Sequence, residues 1–198
     1  YPEEYALYSM PDYTYNNIRQ TNRNRLLWKD DSVDGLKTGH TEAAGYCLVA
    51  SAERNGMRLV SVVMGSKSQS ARESETQKLL SYGFRYFETH QLYSTGDMLD
   101  ETEVWAGTEN LLELGVERDI YLTIPRGKEK DIKAVMNLNE VIKAPVTKGK
   151  EYGEMVVTLD GEELLREPLV ALESVDEAGF FKRIWHALIL FITQLVDF

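Results

Sequence analysis

Apolar positions along this chain fall into segments of different period, and each period predicts a different element. Between residues 45 and 64 they crowd into two short runs, Cys47-Leu48-Val49-Ala50-Ser51-Ala52 and Arg58-Leu59-Val60-Ser61-Val62-Val63-Met64, separated by Glu53-Arg54-Asn55-Gly56. Two such runs joined by a turn sequence predict an antiparallel hairpin. Val33-Asp34-Gly35-Leu36-Lys37-Thr38-Gly39-His40 lies on or just before its first strand. Alternation sends Lys37 to one face, while Gly39 leaves room for the backbone of a ligand to approach. After the small polar loop Gly65 to Ser70 the period becomes helical. Ser70 is the expected cap of a helix from Ala71 to about Phe87, with Glu73 completing a capping box. Leu79, Leu80, Phe84 and Phe87 form the face that packs on the sheet and closes a first unit near Thr89.

Past residue 90 the period returns to two. Ile120, Leu122 and Ile124 alternate, as do Met155, Val157 and Leu159, and Asp160-Gly161 marks a tight hairpin. Pro145, Lys148-Gly149 and Gly153 punctuate further strands, which predicts a small β-sandwich over about 90–175. It offers no phosphate loop or nucleophile elbow, and its acidic residues read as a solvated face. Residues 1–29 show no sustained period and read as loop with short elements, their tyrosines and Trp28 packing around the rim of a site.

The final segment, Glu177 to Phe198, is a predicted amphipathic helix. At about 100° per residue, Phe180, Phe181, Ile184, Trp185, Leu188, Ile189, Phe191, Ile192, Leu195, Val196 and Phe198 cover about half the circumference. Lys182, Arg183, His186, Thr193, Gln194 and Asp197 share the rest with Leu190. An uninterrupted apolar run from Ala187 to Ile192 is far short of the roughly 20 residues that span a bilayer, so the helix suits the headgroup boundary. Its candidate membrane contacts are Phe181, Trp185, Leu188, Phe191, Ile192 and Leu195. The bland alternative is a helix docked on the protein's own core.

Composition narrows the function. A hydrophobic content of 43% over 198 residues suffices for one or two cores, and a net charge of −10 argues against phosphate-backbone binding, which needs clustered cations. One cysteine, Cys47, excludes a disulfide framework and a cysteine-based zinc site, and His40, His90 and His186 lack ligand spacing, so no metal and no cofactor are expected. Inside its apolar run Cys47 reads as a small buried residue. The chain starts with Tyr1 and shows no leader pattern, which reads as a C-terminal piece.

Lys37-Thr38-Gly39 resembles the third signature of the penicillin-recognising serine enzymes, S-x-x-K, S-x-N and K-T-G. Its surroundings extend the likeness: Ile18-Arg19-Gln20, Asn22-Arg23-Asn24, Leu26-Leu27-Trp28, Val33 to Thr41, Ala44-Gly45-Tyr46 and Tyr121 to Gly127 resemble the penicillin-binding protein 5 and 6 group of D-alanyl-D-alanine carboxypeptidases. No serine here is followed by lysine three residues later or by asparagine two residues later, so the nucleophile's motifs are absent from these 198 residues.

The resemblance implies an α/β part of a penicillin-recognising transpeptidase-like domain over 1–89, then the small all-β sandwich over 90–175 and the amphipathic membrane-anchor helix over 176–198. It implies a serine acyl-enzyme that removes the terminal D-alanine from peptidoglycan stem pentapeptides and is trapped by β-lactams. Lys37 would hold charge beside the nucleophile. The His40 backbone N–H would be an oxyanion donor. Thr38, Gly39, Arg72 and Arg23 would bind substrate, Thr38 and Arg72 through its terminal carboxylate. Without the resemblance Arg72 is a solvated first-turn charge. The implied partners are a D-Ala-D-Ala stem peptide, β-lactams, a membrane surface and the missing N-terminal part of the catalytic domain. The implied location is the periplasmic face of a bacterial inner membrane, and the chain alone is expected to be inactive. Alternatives are a non-catalytic spacer or docking module with an anchoring tail, and a β-lactamase, which the added β domain and tail disfavour.

Overall fold

Residues 1–139 and 141–196 are described by the structure, a computed structural model, with side chains described as far as 192. The chain folds as two compact units, one of Tyr1–Thr89 with Thr123–Arg126 and another of His90–Leu122 with Gly127–Phe198.

In the first unit, helix α1 (Pro2–Ala6) and a 3-10 turn (Leu7–Ser9) lead into the hairpin β1 (Asp12–Tyr15) and β2 (Ile18–Thr21). Asn16 and Asn17 turn it at φ 48° and 60°, the left-handed pair that tight hairpins favour. A second 3-10 turn (Arg25–Trp28) precedes β3 (Val33–Thr41), β4 (Gly45–Arg54) and β5 (Met57–Ser66), an antiparallel sheet in the order β3-β4-β5. Asn55-Gly56 makes the β4–β5 turn, as its sequence predicts.

Helix α2 (Gln69–Tyr86) covers one face of this sheet. Leu26, Val33, Leu48, Ala50, Ala52, Met57, Leu80 and Phe84 form the core between them. The fit is close at Gly83, where a Cβ would stand 2.4 Å from Leu59 Cδ1. Two expectations change. Ser68, in extended conformation, is the cap: its hydroxyl accepts from Ala71 N–H at 3.1 Å, which puts Ser70 inside the helix. Glu73 instead turns inward to Lys29 Nζ at 2.8 Å. The buried face is Arg72, Glu73, Thr76, Leu80 and Phe84, which rotates Leu79 into solvent.

On β3, Asp34 accepts from Tyr5 Oη at 2.9 Å and pairs with Arg58 of β5 at 2.7 Å. Burial alone would raise the Asp34 carboxyl, but hydrogen bonds from Arg58, Tyr5 and Ser51 outweigh it and hold the carboxyl below its ordinary range. Because the folded value is the lower one, this contribution is complete above the unfolded value of about 4 and is lost as pH falls through the folded value. Thermal unfolding followed from about pH 6 to pH 2 should show Asp34→Asn flattening part of the acid destabilisation, with the wild-type advantage confined to the upper end of that range.

Two further strands, β6 (Phe87–Tyr93) and β9 (Ile120–Pro125), pair as a two-stranded sheet. The second unit is built on a six-stranded sheet. It contains β7 (Met98–Trp105), β8 (Leu111–Gly115), β10 (Ile132–Leu138), β11 (Ile142–Lys143), β12 (Glu151–Leu159) and β13 (Glu162–Ala171), in the order β10-β12-β13-β8-β7-β11. Strand β13 pairs with β12 along its length but reaches β8 only through Val170 and Ala171, the way a strand switches layers in a small sandwich. Asp160-Gly161 forms the β12–β13 turn, and Met155, Val157, Leu159, Ile120 and Leu122 alternate into the core as expected.

Helix α3 (Phe180–Val196) begins three residues later than Glu177. It lies on its own unit by one narrow side. Lys182 Nζ donates to Thr108 O at 3.0 Å, and His186 Nδ1 accepts from Ala106 N–H at 3.0 Å beside the Trp105 ring. The helix therefore turns its cationic side to the sheet and leaves Phe181 87%, Trp185 61% and Phe191 63% exposed. Leu188 and Ile192 are exposed too, while the side chain of Leu195 lies outside the described residues. No described helix is long and apolar enough to cross a membrane.

Candidate active site

Strand β3 is an edge strand among the described residues, and its two halves differ. Near Gly35 it is covered: Asn24, 1% exposed, donates through Nδ2 to Gly35 O at 2.9 Å and accepts from Leu26 N–H at 3.2 Å. Lys37, Gly39, His40 and Thr41 of the other half are exposed, with Thr38 partly so. An exposed strand end with free edge groups is the kind of surface on which an extended peptide can lie.

Lys37 Nζ donates to Thr38 O at 2.7 Å, which leaves its ammonium at the surface of the strand. Gly39 pairs across the sheet with Cys47, and a Cβ at Gly39 would stand 3.8 Å from that of Cys47. Cys47 is only partly buried, a correction to the buried thiol expected from its apolar run: it lies where the β4–β5 register shifts, near the exposed end of the sheet. His40 lays its imidazole flat on the Tyr46 ring, centroids 3.9 Å apart at 13°, with Nδ1 3.2 Å from Gly45 O. A carbonyl only accepts, so Nδ1 carries the proton there.

Arg72 has a different place from the one expected. It is 4% exposed, and its guanidinium faces main-chain carbonyls: Nη1 donates to Gly39 O at 3.2 Å and Cys47 O at 3.3 Å, and Nη2 to Arg23 O at 3.3 Å. The first turn of α2 points it inward, so it ties β3, β4 and the 22–25 loop together and does not present a free fork to a carboxylate. The structure thus gathers Arg23, Gly39 and Arg72 about one guanidinium, with Lys37, Thr38 and His40 beside Gly39 along β3. Arg23 keeps an exposed side chain. The candidate membrane residues of α3 belong to the other unit.

The sequence reading does not single out Asn24 or Tyr46. Asn24 had a legible signal, an asparagine ahead of Leu26-Leu27-Trp28, whereas the stacking of Tyr46 depends on register. Removing Asn24 leaves Gly35 O buried without its donor, so Asn24→Ala should cost about 1–3 kcal/mol, readable by denaturant unfolding. Among the described residues no cluster of three or more His, Cys, Asp or Glu could hold a metal ion.

Two family models match the chain: D-alanyl-D-alanine carboxypeptidase over residues 1–68, and penicillin-binding protein 5, C-terminal domain, over residues 87–177. Among curated proteins, D-alanyl-D-alanine carboxypeptidase DacA of Escherichia coli K12 is 47% identical over 186 residues, 92% of this chain and 46% of the relative. The DacA of Haemophilus influenzae is 45% identical over 197 residues, 98% of this chain and 50% of the relative. The solved structure of penicillin-binding protein 5 from Haemophilus influenzae superposes with a TM-score of 0.82 at 45% identity, covering 89% of this chain and 52% of that one. The chain spans about half the length of the curated relatives it matches.

An edge strand carrying Lys-Thr-Gly, backed by a capped helix and followed by a β-sandwich, thus fits the class of the penicillin-binding proteins. Within that class the chain belongs to the D-alanyl-D-alanine carboxypeptidases of the penicillin-binding protein 5 type.

Proposed function

We propose that this chain supplies the substrate-edge half of a serine D-Ala-D-Ala carboxypeptidase, one that trims the terminal D-alanine from peptidoglycan stem pentapeptides and is acylated by β-lactams. The observation that carries the reading is the exposed half of β3, where Lys37, Thr38, Gly39 and His40 stand on a strand edge braced by Arg72. The stem peptide lies along this edge. Lys37 places positive charge beside the attacking hydroxyl, Thr38 offers its hydroxyl to the terminal carboxylate, and Gly39 keeps the approach open. The His40 main-chain N–H stabilises the oxyanion, a donor whose loss typically costs roughly 10²–10³ in rate. Arg23 adds exposed charge at the rim, and Arg72 acts by holding the strand. The serine with its lysine, and the second serine with its asparagine, lie in the N-terminal part of the catalytic domain.

In this reading residues 1–89 complete that domain, 90–175 form a separate β-sandwich, and 176–198 anchor the protein to the periplasmic face of the inner membrane as a peripheral helix. The exposed aromatic side of α3 supports the anchor, since docking on the protein's own unit uses the opposite side. A non-catalytic spacer would have no use for Lys-Thr-Gly on an exposed strand. The chain alone should give no covalent adduct when its intact mass is measured after β-lactam exposure, because attack needs an activated nucleophile. A stoichiometric adduct on any serine here would overturn the assignment.

A further inference from the structure

We propose that Tyr46 is a positioning residue for this site: its ring holds the His40 imidazole, and through it the Gly39–His40 peptide, in the orientation oxyanion binding requires. The inference rests on the reading of His40 N–H as an oxyanion donor. His40 and Tyr46 are a cross-strand pair one position from the end of the β3–β4 hairpin, where Thr41 faces Gly45. A strand end on a free edge has few neighbours to fix it, and a catalytic donor must be held within about 0.5 Å and 10–20°. Here the His40 ring is fixed at two points, by its flat stack on Tyr46 at 3.9 Å and by Nδ1–H to Gly45 O at 3.2 Å.

Tyr46 is itself held from several sides. Gly45 sits at φ +64° with Ser66 O only 3.0 Å from where a Cβ would be, so β4 enters the pair along one path. Between Tyr46 and Leu48 the β4–β5 register slips by a bulge, a device that re-aims side chains. The Arg72 guanidinium carbon lies 5.7 Å from the Tyr46 ring centroid, while Nη1 of the same residue bonds Gly39 O and Cys47 O, the neighbours of His40 and Tyr46 in their strands. Gly39, His40, Tyr46 and Cys47 thus form a closed frame with the stacked rings as one side. Among the described residues the Tyr46 hydroxyl has no hydrogen-bond partner, so the frame uses the ring.

The test is made in the full-length enzyme with Tyr46→Leu and Tyr46→Phe, reading kcat and KM on a small D-Ala-D-Ala peptide and the rate of acylation by a fluorescent penicillin. Tyr46→Leu should lower kcat and acylation by about 10- to 100-fold while KM moves less than about threefold, because the oxyanion contact is made in the transition state. Tyr46→Phe should rescue both. If Tyr46→Leu does not fold, Tyr46→Met is read by the same criteria. The inference is overturned if the aliphatic variant keeps its kcat, if KM rises as kcat falls, or if Tyr46→Phe loses as much. Lys37→Ala in the same assay separates the two levels: normal acylation there sinks the site itself, whereas lost acylation there with a normal Tyr46→Leu sinks only the role of Tyr46.

Discussion

Lys37→Ala in the full-length protein should cut the rate of β-lactam acylation by roughly 10²–10⁴-fold, the range in which positioned proton-transfer groups act, while Lys67→Ala leaves it within about twofold. Both are exposed lysines, but Lys67 follows β5 at the entry to α2, away from the strand edge. Lys37 stands on the open half of β3, its ammonium tethered to Thr38 O. If charge at this edge eases proton removal from the serine and steadies the substrate's anion, removing it slows the bond-forming step. A loss of that size cannot come from general surface charge, which Lys67→Ala measures. Equal effects of the two changes, read as labelling rates with a fluorescent penicillin, would mean that the tripeptide is ordinary surface.

Removing residues 177–198 should release the protein from anionic vesicles without impairing hydrolysis of a soluble D-Ala-D-Ala peptide. Replacing Phe181, Trp185 and Leu188 together by Ser should imitate the truncation. Each such side chain forfeits about 1.5–3 kcal/mol of burial, roughly tenfold or more in partitioning per residue. All three are exposed, so their loss costs the fold little in water. Added salt should weaken binding without abolishing it, since Lys182 and Arg183 supply only an electrostatic share. Lys182 is engaged with Thr108 O and Arg183 with Glu177 at 2.6 Å, which lowers that share further. A truncated protein that melts early while vesicle binding is unchanged would assign the tail to the fold.

Local signals carried most of the architecture. Asn55-Gly56 and Asp160-Gly161 identify their hairpins because left-handed turn residues are needed between the strands they join, and period two along Met155, Val157 and Leu159 reports burial directly. The cap of α2 is less legible: Ser70 fits a capping box, yet Ser68, extended and accepting from Ala71 N–H, takes the position. Burial of Glu73 depends on Lys29, and that of Arg72 on carbonyls at residues 23, 39 and 47, all distant in sequence. No local pattern could turn Arg72 from a solvated first-turn charge into a brace. The same holds for Tyr46, whose partner is set by the β3–β4 register. In the tail the apolar stripe was legible from spacing, whereas the choice of side for docking follows from Ala106 and Thr108, on the segment after β7.

In the proposed enzyme β3 forms the wall along which the substrate lies. The most direct test is the crystal structure of the full-length protein acylated by a β-lactam. The ligand should extend along β3, with its carboxylate within hydrogen-bond reach of Thr38 Oγ1 and its carbonyl oxygen about 3 Å from the His40 nitrogen. A ligand seated away from Lys37–His40, or a His40 N–H turned away from the carbonyl oxygen, would contradict it.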